Sequence, residues 1–272
     1  DNGVHASASP FEALAERMNW VGAKLEDDEF GKALLAAGIP KETILSWTKD
    51  PQVEYEGKKG SLFDLLEDLN AGDCLAKAQA IAKVSGPIPA VKNLAFVFVK
   101  PHAVTPATVL LVKEKLGQAG ITIADDGILD NKTISEKLLI DNHYYAIANK
   151  ASLTKPKDLN PPAAKQEDFA KLFGLPWAEA LAQGRVFNAV DACAQLGVDG
   201  EQMDTLWAAT KKAGKLVKFG GGFYCGLVTP PVVAAPKAAA PAAPAAAPAA
   251  SSEGVYVING FYMAMREKYT KA

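Results

Sequence analysis

The sequence predicts an α+β fold, and three observations carry it. Residues 94–99 are a β-branched and aromatic run closed by Pro101, the pattern of a buried strand. A helix opened by Thr105-Pro106, a second strand-like stretch "ITIADDGILD" and a second helix "TISEKLLIDNHYYAIANK" follow it, an alternation that reads as an α/β or α+β sandwich. Short amphipathic helices, many of them ended by glycine, fill much of the remaining length. They set the expectation at α+β with helical additions.

Each element has its own signal. Ser9-Pro10-Phe11-Glu12 reads as a capping box, with Pro10 at the first helical position. Phe11, Leu14, Ala15 and Met18 then fall on one helical face. Residues 26–92 read as helical and loop-rich: "DDEFGKALLAAG", "PKETILSWTKD", "SLFDLLEDL" and "AGDCLAKAQAIAK" are short helices. Across 150–228 lie "PKDLNPPAA" as loop, then "EDFAKLFG", "WAEALAQG", "VFNAVDACAQLG" and "EQMDTLWAATKKAG" as helices. "KLVKFGGGFYCGLV" is mostly strand-like. Its three glycines lack the Lys-Ser/Thr of a phosphate loop and predict a bend or bulge. Residues 229–252 are a Pro/Ala-rich tether, and 253–272 a final amphipathic segment.

Composition narrows the function classes. With 49% hydrophobic and 22% charged residues, the 272-residue chain has the makings of a core. A net charge of −2 gives no electrostatic footing for nucleic acid or a membrane surface, and no run approaches the roughly 18 apolar residues of a membrane span. The three cysteines are odd in number, widely spaced and without zinc spacing, which makes a reducing, cytoplasmic compartment the expectation. No signal peptide is read at the front, although the first residue is not Met. The acidic run Glu26-Asp27-Asp28-Glu29 reads as a solvated helix start.

His5, one of three histidines, stands just ahead of the capped helix, and Glu16 lies on that helix two turns in. A neutral imidazole is a good nucleophile near pH 7, and a carboxylate that orients it selects which nitrogen is free to attack. Asn2, His5, Ser7, Ser9 and Glu16 resemble the active-site signature of the nucleoside diphosphate kinase family, Asn-x-x-His-Gly-Ser-x-Ser with a Glu eleven residues after the His. Ala6 replaces its Gly. "FVFVKPHAV" is similar to that family's first strand and Lys-Pro-Asp-Gly-Val. Lys100, Pro101 and Val104 match, while His102 and Ala103 stand for Asp and Gly. "SEKLLIDNHY" resembles the family helix ending in His-Tyr, which puts His143 and Tyr144 on matching positions. "NGFYMAMREKY" resembles the helix carrying an aromatic base clamp, which puts Phe261 there.

The resemblance implies ferredoxin-like βαββαβ elements. It also implies phosphoryl transfer from a nucleoside triphosphate to a nucleoside diphosphate through a phosphohistidine on His5. Glu16, Lys100 and Tyr144 would assist, Asn2 and Phe261 would contact substrate, and Mg2+ would bridge the phosphates. The pieces stand in permuted order: His-signature segment 1–25, helical connection 26–92, N-terminal kinase-like half 93–149, helical insertion 150–228, linker 229–252 and kinase-like helix 253–272. That order implies a tandem-repeat piece, with His5 and Lys100 in neighbouring units, or a permuted unit. The family's Thr-Asn-Pro and Arg-Gly stretch is not among these residues, so the expected partner is a second copy or a complementary kinase-like segment. The alternative is a non-catalytic interaction protein on a degenerate form of the fold. Removing His5 is expected to be structurally cheap, within about 0.5 kcal/mol, since it precedes the helix.

Overall fold

The computed structural model describes residues 2–220, 222–229 and 254–271. The chain is mixed α/β, mostly helical, with small sheets. It divides into two compact units: Asp1–Tyr145 with Tyr269–Ala272, and Ala146–Lys268.

The first unit opens with strand β1 (Val4–Ala6) and helix α1 (Pro10–Trp20). Ser9 caps α1 by accepting from the Glu12 amide, as its sequence predicts. The Glu12 carboxylate accepts from the Ala8 amide, one residue before the position a capping box would use. Helices α2 (Glu29–Ala36) and α3 (Lys41–Trp47) follow, then strands β2 (Gln52–Tyr55) and β3 (Lys58–Ser61), and helices α4 (Leu62–Leu66) and α5 (Ala71–Ala82). The β2–β3 hairpin is absent from the sequence expectations. Its signal is the Glu56-Gly57 turn, with φ of 51° and 75°, between alternating residues. Phe11, Leu14, Phe30, Leu34, Ile44, Leu62 and Leu75 form the core. Phe11 meets Trp47 and Phe63 edge to face.

Strand β4 (Val97–Val99) pairs antiparallel with β1, His5 opposite Phe98. The His stretch and the Lys-Pro stretch therefore complete one ribbon within one unit, and the expectation that places them in neighbouring tandem units is corrected. Helix α6 (Pro106–Gln118) has no buried residue. The strand expected at 121–130 does not form: with Ile121, Ile123 and Ile128 exposed, it lacks the neighbouring ladder a strand needs. The single helix expected over 133–150 is broken. Leu138 takes a left-handed conformation (φ 53°) between α7 (Asn131–Glu136) and α8 (Leu139–His143). Helix α9 (Tyr145–Ala148) leads into a π-helical turn, Asn149–Leu153.

The second unit holds α10 (Ala163–Phe173), α11 (Trp177–Ala182), β5 (Val186–Asn188), α12 (Ala189–Leu196), α13 (Gly200–Lys212), β6 (Leu216–Gly220), β7 (Phe223–Val228), β8 (Val255–Ile258) and α14 (Tyr262–Thr270), whose last two residues belong to the first unit. Its sheet runs β5-β8-β7-β6, parallel only between β5 and β8. Residues 186–188, read as the start of a helix, form a strand, and Asn188 then caps α12. The predicted bulge is present as a register shift between Lys218 and Gly220. Segment 253–272, read as a helix set apart by an insertion, places β8 in the sheet of that insertion. Apart from Thr229, the Pro/Ala tether lies outside the described residues.

Candidate active site

The β1–β4 pairing fixes His5 beside α1, and Glu16 reaches it from that helix. His5 Nε2 lies 2.5 Å from Glu16 Oε1. A nitrogen so close to a carboxylate oxygen donates its proton there, so in the neutral ring Nδ1 keeps the lone pair. The other carboxylate oxygen accepts from the Ser7 hydroxyl at 2.6 Å. The Phe96 carbonyl is also near that hydroxyl, at 3.0 Å. A hydroxyl carries one proton, and the shorter bond to a charged acceptor takes it. Ser7 Oγ accepts in turn from the Phe96 amide at 2.8 Å, which ties the site to the residue that leads into β4. Glu16 is thus held at both oxygens while only 4% exposed.

Phe98, opposite His5 in the ribbon, stacks on the His5 ring at 4.7 Å and 28°. His143, at the end of α8, meets the same ring edge-on at 4.9 Å. His143 Nδ1 stands 3.5 Å from Glu16 Oε1 and 3.4 Å from the Trp20 indole nitrogen. The indole N–H can only donate, so Nδ1 accepts and the ring is neutral rather than an ion-pair partner. Burial, opposed by the Glu16 charge, agrees: it lowers the His143 pKa to about 4. No sequence pattern singled out His143 as a neighbour of His5. Its one signal is the His-Tyr match.

A cleft of about 370 Å3 opens beside the cluster, lined among others by His5, Glu12, Glu16, Lys49, His143 and Tyr144. Tyr144 stands edge-on to His143 at 4.6 Å, and burial raises its hydroxyl pKa, as it does for Tyr269, with which it shares a hydrogen bond. Burial also raises the Glu12 carboxyl pKa. Lys100, beyond the end of β4, donates to Asn2 Oδ1 at 2.5 Å, while its amide bonds the Gly3 carbonyl. The fold thus joins Asn2 to Lys100, and His5 to Glu16 and Tyr144. Phe261 lies in the second unit, against Trp207 and Tyr224.

Two imidazoles and one carboxylate, His5, His143 and Glu16, bring one ligand atom each to within 4.8 Å of one another. That set does not suit Mg2+, which demands octahedral oxygen ligands. Searches of family models, curated proteins and solved structures find no match to this chain.

Proposed function

We propose that this chain carries out nucleoside diphosphate kinase-like phosphoryl transfer, with His5 as the nucleophile. The observation that supports the reading is the 2.5 Å bond from His5 Nε2 to a buried, doubly held carboxylate at the edge of a cleft. That bond fixes the tautomer: Nδ1 is the nitrogen with a lone pair to attack the terminal phosphorus of a nucleoside triphosphate. As Nδ1 bonds phosphorus, the bond from that phosphorus to the bridging oxygen breaks and the nucleoside diphosphate leaves with its electron pair; the ring gains positive charge, and Glu16 offsets it through Nε2–H. Reversal onto a nucleoside diphosphate returns the ring to neutrality. Lys49 lines the cleft and Lys100 follows β4 at the ribbon end, both suited to phosphate oxygens. Mg2+ in this reading travels with the phosphates rather than on protein ligands. The ferredoxin-like part of the reading leans on β1 and β4, antiparallel neighbours each followed by a helix. A second copy or a complementary segment would supply Thr and Arg contacts.

Incubation with γ-labelled ATP tests it. The expected product is an acid-labile, base-stable phosphoenzyme that His5→Ala does not form. Wild-type chain that takes no label, alone or mixed with a segment carrying the Thr-Asn-Pro and Arg-Gly stretch, would leave the non-catalytic scaffold as the reading.

A further inference from the structure

We propose that His5, Glu16 and His143 also form a site for a borderline transition-metal cation of the Zn2+ type, and that its occupation and phosphorylation of His5 exclude each other. Binding stands on the cluster alone, whereas exclusion depends on the phosphoryl-transfer reading above.

The donor set comes first. Two imidazole nitrogens and a carboxylate oxygen are a three-ligand set of the kind that holds zinc with a fourth position open. Imidazole suits Zn2+, Cu2+ or Ni2+, whereas Mg2+ and Ca2+ prefer oxygen. Bonds of about 2.0–2.1 Å place tetrahedral ligand atoms roughly 3.3 Å apart. His143 Nδ1 and Glu16 Oε1 are 3.5 Å apart, close to that separation. His5 Nε2 and Glu16 Oε1, at 2.5 Å, open by less than 1 Å once no proton joins them. The Trp20 contact marks His143 Nδ1 as the atom bearing the lone pair. At 3.4 Å it is a long bond, weakly held against a metal.

Support around the ligands is already built. Glu16 keeps the Ser7 bond on its second oxygen, and His5 keeps its stack on Phe98, so two of the three ligands are oriented before any cation arrives. The cleft beside His5, Glu16 and His143 gives the ion a way in and the open position a place for water.

Exclusion follows from the tautomer. A cation on His5 Nε2 needs the lone pair there, so the ring proton moves through solvent from Nε2 to Nδ1. Nδ1–H is no longer a nucleophile, and Glu16 is occupied by the metal. Conversely, a phosphoryl group on Nδ1 requires Nε2–H to face Glu16. One ring nitrogen has to carry the proton, and each state claims the opposite one.

Titration of the metal-free full chain with Co2+ tests the site. The expected result is one Co2+ per chain, with the visible d–d absorption of a four- or five-coordinate ion, displaced by one equivalent of Zn2+. His143→Ala and Glu16→Gln, shown by circular dichroism to keep their fold, should each weaken binding at least about 10-fold. Should either variant unfold, the wild-type histidine ring resonances decide instead. Those of His5 and His143 should shift together at one equivalent of Zn2+ while His102 stays put. Wild type that takes up no Co2+, or uptake unchanged in folded variants, or shifts confined to other groups, overturns the site. Phosphoenzyme formation with one equivalent of Zn2+ should drop at least about 10-fold. Equal labelling with and without Zn2+ overturns the exclusion and leaves the site. No labelling in either condition overturns the transfer reading and the exclusion with it, while the Co2+ titration still decides the site.

Discussion

His5 is the residue whose standing changes most between sequence and structure. Ahead of a helix it reads as cheap to remove, yet its imidazole is a main partner of a carboxylate that is 4% exposed. His5→Ala leaves that carboxylate short of a donor. The expected cost is about 1–3 kcal/mol, the penalty of an unsatisfied buried group, rather than a few tenths. Urea denaturation checks this, and a cost near zero would mean that water replaces the ring. His143 carries the pH dependence. Its folded pKa is about 4, below the 6.5 of an ordinary histidine, because burial disfavours the cation. Between those values the unfolded chain binds the extra proton. Stability is therefore full above pH 6.5, falls as pH drops through that window and levels off below about 4, a loss of up to about 3 kcal/mol. His143→Gln should flatten this window in a pH series of melts, and an NMR midpoint near 6.5 would contradict it.

Among the elements, those whose signal is local were legible. Ser9, Pro10 and the apolar stripe announce α1, because cap and face are written within a few residues. The stretch at 121–130 was not legible, since a strand exists only when another strand offers it a ladder. The break at Leu138 was not legible either: nothing in an apolar leucine announces φ 53°. Leu138→Gly should relieve that strain and raise stability by about 1 kcal/mol, readable as a higher melting temperature. A drop would mean that the leucine side chain contributes more than its backbone costs. Strands β7 and β8 permit a second test. Val228 is paired with Val255, so the connection over 229–254 joins two adjacent residues. Each halving of a loop returns about 0.6 kcal/mol of closure entropy. Cutting that connection to roughly a quarter of its length should keep the sheet and add about 1 kcal/mol to stability. A lower melting temperature would show that the tether takes part in the fold.

For the whole molecule, burial sets the cost of a substitution: Phe11 is fully buried against Trp47 and Phe63, and Phe11→Ala should cost about 3–5 kcal/mol in a denaturation series. Ile128, 95% exposed, marks the opposite case: Ile128→Lys should stay within about 0.5 kcal/mol. By itself the sequence determined the class of fold, the caps, the apolar faces and the chemical identity of His5, Glu16, Lys100 and Asn2. All of these are set by residue type and by spacings a helix or strand imposes locally. The tertiary structure alone decided that residues 4–6 pair with 97–99, that His143 closes on Glu16, and that 255–258 completes the sheet of 186–228. Contacts between residues about a hundred positions apart depend on which buried surfaces and strand edges find each other as the chain collapses, and no local pattern records that outcome.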